Sequence, residues 1–137
     1  MQIMRAVGLA ALVGGLTLAV AAPASGHGIK YGRGVQGGFI PADGPPYTAA
    51  TGKVNSGKAA CRRASRVILF KAQPGRDIDY GSRLTNRQGQ FTIPSPGNQF
   101  DDGAYYLVVK RKVLAKNRYH RHICPRLKTN AFTITNP

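Results

Sequence analysis

Read by the chemistry its side chains could do, this sequence is rich in cations and poor in what acid/base catalysis needs. Its five acidic residues are all aspartates, with no glutamate anywhere. Asp77 with Asp79, and Asp101 with Asp102, fall in pairs close to turn glycines. Neighbouring side chains on an extended chain point to opposite faces, so Asp101 and Asp102 make a poor general acid/base couple. A calcium loop would want more oxygen ligands than the two carboxylates present at either place. Turn formation accounts for both pairs, and no catalytic residue is expected.

The imidazoles offer a second kind of chemistry. His120 and His122 flank Arg121, and at i, i+2 on a strand both rings would face the same side, a spacing that suits a metal. Against this, Lys116, Arg118, Arg121 and Arg126 surround them with positive charge, which opposes a cation and depresses histidine basicity. A solvated basic loop is the competing reading. His27 stands just after an export signal. Cleavage after Ala24 would leave Ser25-Gly26-His27, whose amine, amides and imidazole form a square-planar nitrogen set for Cu(II) or Ni(II). Cleavage after Gly26 would expose His27 itself. That start resembles lytic polysaccharide monooxygenases, which bind copper through an N-terminal histidine, although the rest of this short chain departs from them. An incidental histidine is the alternative, so His27, His120 and His122 remain metal candidates and no cofactor is expected.

The strongest signal is the basic surface. The formal net charge is +15. Lys110, Arg111, Lys112, Lys116, Arg118, Arg121, Arg126 and Lys128 fall within 19 positions, with Tyr119 among them. On one long strand Lys110 and Lys112 would share a face and present charge together with the following loop. Cations beside a stacking aromatic suit polyanions and sugars. No nucleic-acid motif accompanies them. An acidic envelope polymer or carbohydrate is therefore the expected partner. The plainer reading is charge that only keeps a small monomer soluble.

These residues need elements to hold them. Residues 1–24 have the build of a secretory signal: Arg5, an uncharged apolar run from Ala6 to Ala22, then Ala22-Pro23-Ala24 at the cleavage position. A membrane anchor is the rival, but the run is rich in glycine and alanine and only weakly apolar. An exported protein without a span after cleavage follows. Residues 25–50 are Gly/Pro-rich and show no periodicity, which reads as a largely disordered leader. Residues 51–137 alternate short apolar runs with turn signals. Strands are expected at Thr51–Asn55, Arg66–Lys71, Asp79–Thr85, Gln90–Ile93, Tyr105–Leu114, Ile123–Cys124 and Asn130–Thr135. Asn86-Arg87-Gln88-Gly89 is a tight turn with glycine placed for positive φ. The result is an all-β fold, a small antiparallel β-sandwich of six to seven strands.

Cys61 and Cys124 read as a disulfide, since an even pair in a small exported domain is bridged in an oxidising compartment. Closing a loop of 63 positions constrains the unfolded chain by about 4 kcal/mol.

Three runs resemble the transthyretin-like, carboxypeptidase regulatory-type β-sandwich family of exported bacterial proteins. They are Gly52-Lys53-Val54, Leu84-Thr85-Asn86-Arg87-Gln88-Gly89-Gln90-Phe91 and Gly103-Ala104-Tyr105-Tyr106-Leu107-Val108-Val109. Asn86 stands where that family usually has aspartate. The resemblance implies a stabilising, spacing or adhesion module without catalysis.

Overall fold

Residues with strand propensity recur at short intervals from His27 to the last residues. The computed structural model describes residues 27–137, and the expected export signal at 1–24 lies outside them. In chain order the elements are β1 (His27–Lys30), β2 (Gly34–Ile40), β3 (Ala49–Asn55), the single helical turn α1 (Ala59–Arg62), β4 (Arg66–Ala72), β5 (Ile78–Leu84) and β6 (Gln90–Pro94). They continue with β7 (Gly103–Val109), β8 (Lys112–Lys116), β9 (His120–Cys124), β10 (Leu127–Lys128) and β11 (Phe132–Ile134).

Two sheets form the expected sandwich. One has the order β2-β3-β6, and the other β10-β7-β4-β5 with β11 also on β7. Period-2 alternation explains their facing. Phe91 and Ile93 of β6 turn inward with Ala50 and Val54 of β3. Val67, Leu69, Tyr105, Leu107, Val109 and Ile134 meet them from the other sheet. Burying each large side chain contributes about 1.5–3 kcal/mol. Phe39, Phe100 and Tyr105 close one end of this core with edge-on rings 5.2–5.6 Å apart.

A third sheet, β1-β9-β8, lies off the sandwich. It is a hairpin, β8 antiparallel to β9, with β1 added in parallel along β9. Among its residues of described burial, Cys124 is the one that is fully buried. Every other strand pairing among the described residues is antiparallel.

Two expectations are corrected. The stretch 25–50 is not a disordered leader where it is described, because β1 and β2 occupy much of it. Val35 and Phe39 of β2 pack against the core. Between them Gly37 is the register partner of Gly52. A Cβ on Gly52 would lie 2.2 Å from the Gln36 carbonyl oxygen and 2.7 Å from the Phe91 ring, so only glycine lets the strands and the ring come this close. The strand expected over Tyr105–Leu114 is also two strands. β7 stops at Val109, and β8 begins at Lys112 in another sheet.

Candidate functional site

The hairpin β8–β9 carries the basic cluster. Its turn is built by one side chain: Asn117 Oδ1 accepts from the backbone N–H of Tyr119 at 2.8 Å and of His120 at 2.7 Å, while the Asn117 N–H donates to the His120 carbonyl at 2.8 Å. Such an Asx turn fixes the direction of the flanking side chains. Lys116, Arg118 and Arg121 are exposed there, and the Tyr119 ring is 56% exposed. The Arg118 guanidinium lies 5.8 Å from the Tyr119 ring centre, a cation–π contact that holds both groups outward. A shallow recess of about 250 Å³ runs from this turn to Gly28 on β1, and no carboxylate lines it.

Because the hairpin has almost no core of its own, its base must be tied down. Cys124 at the end of β9 is bridged to Cys61 on α1, with Cα atoms 5.6 Å apart, as expected. Arg33, between β1 and β2, donates from Nη2 to the carbonyls of Lys110 at 2.8 Å and Cys124 at 3.2 Å, and from both Nε and Nη2 to that of Pro125. Lys112 turns away from solvent, and its ammonium donates to the carbonyls of Ala60 at 2.8 Å and Arg63 at 2.7 Å. Burial lowers the proton affinity of both groups below their ordinary values, and for Lys112 the charges of Arg63 and Arg33 add to the effect. The receiving segment is braced in turn by the Thr85 hydroxyl. It accepts from the Ser65 N–H at 2.9 Å and donates to the Arg62 carbonyl, while Ser65 Oγ donates to the Cys61 carbonyl at 2.9 Å.

The nine residues expected to bind a polyanion are thus sorted into three groups. Lys116, Arg118, Tyr119 and Arg121 come together at the hairpin end. Lys110, Arg111 and Arg126 are exposed near its base. Lys112 is half-buried, whereas Lys128 stays exposed with its ammonium 4.4 Å over the Tyr106 ring. Lys110 and Lys112 belong to no common strand, so the shared face expected for them does not form.

The histidines also meet on this sheet. His27 is the backbone register partner of His120 on the parallel neighbour. The rings of His120 and His122 are 6.3 Å apart, and His122 Nδ1 lies 3.2 Å from the Tyr31 hydroxyl. Among the described residues no group of three or more His, Cys, Asp or Glu side chains is placed to hold a metal. Tyr31, Arg33 and Lys58, whose ammonium sits 5.2 Å over the Tyr31 ring, belong to this region and were not anticipated. The first two lie in the stretch read as leader.

Charge is segregated along the strands. The register of β4, β5 and β7 places Asp77, Asp79, Asp101 and Asp102 at the end where β4 stops and β7 begins. Asp43, in the β2–β3 connection, lies at the same end. The hairpin leaves from the opposite end, next to the start of β4. No helix among the described residues is long and apolar enough to cross a membrane. No protein-family model matches this chain, and no curated protein or solved structure matches it.

Proposed function

We propose that this chain is an exported, non-catalytic β-sandwich module that adheres to acidic polymers or carbohydrate at the cell envelope through its cationic hairpin. One observation carries the reading: three cations and an exposed tyrosine stand around a carboxylate-free recess, on a sheet that, among the described residues, contributes a single buried side chain to the fold. Residues in such a sheet add little to the core, so their types are free to serve contact with a partner. Segregation of all five aspartates to the far end removes self-competition for these cations and gives the field a direction. The resemblance to transthyretin-like adhesion and spacer modules points the same way.

Retention on polygalacturonate-coated resin over a salt series tests this. Binding through counterion release falls steeply as salt rises from about 0.05 to about 0.5 M. The triple charge reversal K116E/R118E/R121E should abolish retention and leave the melting temperature unchanged. Salt-independent retention, or a triple variant retained like the parent, would leave a passive spacer whose charge only solvates. That second reading draws on Lys112, whose ammonium is taken up by two backbone carbonyls instead of being offered outward.

A further inference from the structure

A second basic surface lies at the same end of the sandwich, assembled from segments far apart in sequence. A groove of about 750 Å³ runs between the loop after β3 and the β5–β6 turn, with Lys53, Asn55, Arg62, Arg87 and Gln88 among its walls and no carboxylate. Its walls are fixed before any ligand arrives. On one side Ser56 Oγ donates to the Gly32 carbonyl at 2.8 Å and accepts from the Lys58 N–H at 3.2 Å. Arg62 Nη1 donates to the Ser56 carbonyl at 2.7 Å. On the other side Asn86 Oδ1 accepts from the N–H groups of Gln88 at 3.0 Å and Gln90 at 2.8 Å. Gly89, at φ +85°, puts its Cα so close to β3 that a Cβ would lie 2.3 Å from the Val54 carbonyl oxygen. The Val54 N–H donates to the Gly89 carbonyl at 2.8 Å, which locks the turn that presents Arg87 and Gln88.

With the frame held by these bonds, the side chains facing the groove are left over. Those of Lys53, Asn55, Arg87 and Gln88 make no hydrogen bond or ion pair to another described residue. Two cations and two neutral amides are the set that a sugar acid requires, the cations for its carboxylate and the amides for its hydroxyls. The groove offers no aromatic face on which a base could stack, which single-stranded nucleic acid would want. From the groove the surface continues past Gly32 and Lys58 to Tyr31, whose hydroxyl meets His122 on the hairpin.

We propose that this groove is a preformed subsite for a carboxylated sugar unit, and that one acidic polysaccharide chain lies across it and the hairpin end together. The proposal rests on the hairpin reading above and adds to it a place and a ligand class. Two subsites on one rigid frame raise the affinity of a long chain well above that of either alone. A preformed site also avoids the ordering entropy of a loop that closes on its ligand.

Single charge reversals test it, each making the same change in net charge: R87E in the groove, R118E on the hairpin and R76E at the acidic end. Calorimetry with long polygalacturonate at low salt should show R87E and R118E each about tenfold weaker than the parent, with a salt slope lower by about one. R76E should stay within about twofold, as a change in overall field alone would give. The methyl-esterified polymer, which keeps the hydroxyls and loses the charge, should not bind. If R87E behaves like R76E while R118E is weakened, the groove is not a subsite and the hairpin reading stands. If R118E also behaves like R76E, both fail. If R87E alone is weakened, the groove binds and the hairpin does not. Single-stranded DNA bound as tightly as polygalacturonate, with the same sensitivity to R87E, would overturn the sugar assignment. Arg87 is exposed, and R87A with a melting curve supplies the comparison should R87E fold poorly.

Discussion

Where β4 stops and β7 begins, four aspartates are occupied by their own surroundings. Asp77 accepts from the Tyr106 hydroxyl and the Gln73 N–H, and Asp79 accepts from the Gly81 N–H. Asp101 accepts from the Tyr80 hydroxyl at 2.9 Å and lies 3.9 Å from the Lys71 ammonium, the one ion pair among the described residues. Asp102 takes both the backbone N–H and the side-chain amide of Asn136. At the opposite end Lys53, Arg87, Lys116, Arg118 and Arg121 face solvent with no carboxylate partner among the described residues. Arg33, Arg62 and Lys112 there donate to backbone carbonyls instead. In one protein, then, charge at one end closes loops, while charge at the other is either a tie or is offered outward. Substitutions should divide along the same line. Those at the ties and the acidic end should change stability, and those on the outward cations should change binding alone.

The disulfide is the largest lever on this comparison. Replacing both cysteines, C61S/C124S, should lower the unfolding free energy by about 4 kcal/mol, measured by urea titration. Amide exchange should rise first in β8 and β9, which have almost no core of their own and would keep only the polar ties of Arg33 and Lys112 at their base. Uniform acceleration across the sandwich would mean that the hairpin is not a separately anchored unit. The next lever is Thr85→Val, which leaves the Arg62 carbonyl and the Ser65 N–H without their buried partner. About 2 kcal/mol should be lost, and a thermal melt that does not move would show that the segment beneath the hairpin does not depend on this hydroxyl.

Lys112→Met sharpens the distinction between a tie and an offered charge. It removes the donor to two carbonyls and should cost about 1 kcal/mol with little change in polymer retention. Retention lost as fully as in R118E would return Lys112 to the binding surface. The smallest effect belongs to Asp77→Asn. The Tyr106 hydroxyl, and after it the Gln73 N–H, hold the Asp77 carboxyl below its usual range, and the same bond raises Tyr106. The folded state therefore binds this proton less tightly than the unfolded state does. Its contribution is complete above the unfolded value of about 4 and is lost as pH falls through the lower folded value. The variant should lose this small increment at neutral pH, match the parent at acid pH below the folded value, and so flatten the acid limb of the stability curve. An unchanged acid limb would show that Asp77 contributes no pH-dependent stability.

How far the sequence foretells this division follows from the range of each interaction. Local patterns were readable: Phe91 and Ile93 alternate inward, Tyr105, Leu107 and Val109 share the core face, and Asn86–Gly89 forms its turn. The Cys61–Cys124 bridge followed from compartment and parity. β2 escaped notice because Gly37 stands between Val35 and Phe39, where an apolar residue would have completed the alternation. The break at Lys110–Arg111 carries no glycine or proline. It arises where Arg33 and the disulfide draw the chain out of the sandwich, through partners many positions away. The hairpin cluster was visible as a run of charge. The inward turn of Lys112 was not, since its acceptors lie on the segment after β3, and the groove was hidden because its walls come from separate parts of the chain.

The central claim, that an acidic polymer lies against the cationic end, is tested most directly by an amide chemical-shift map of the protein titrated with polygalacturonate. Shifts should concentrate on Lys116 to His122 and disappear at high salt, while the amides around Asp77 and Asp101 stay fixed. Shifts scattered evenly over both ends, or gathered at the aspartates, would contradict the account.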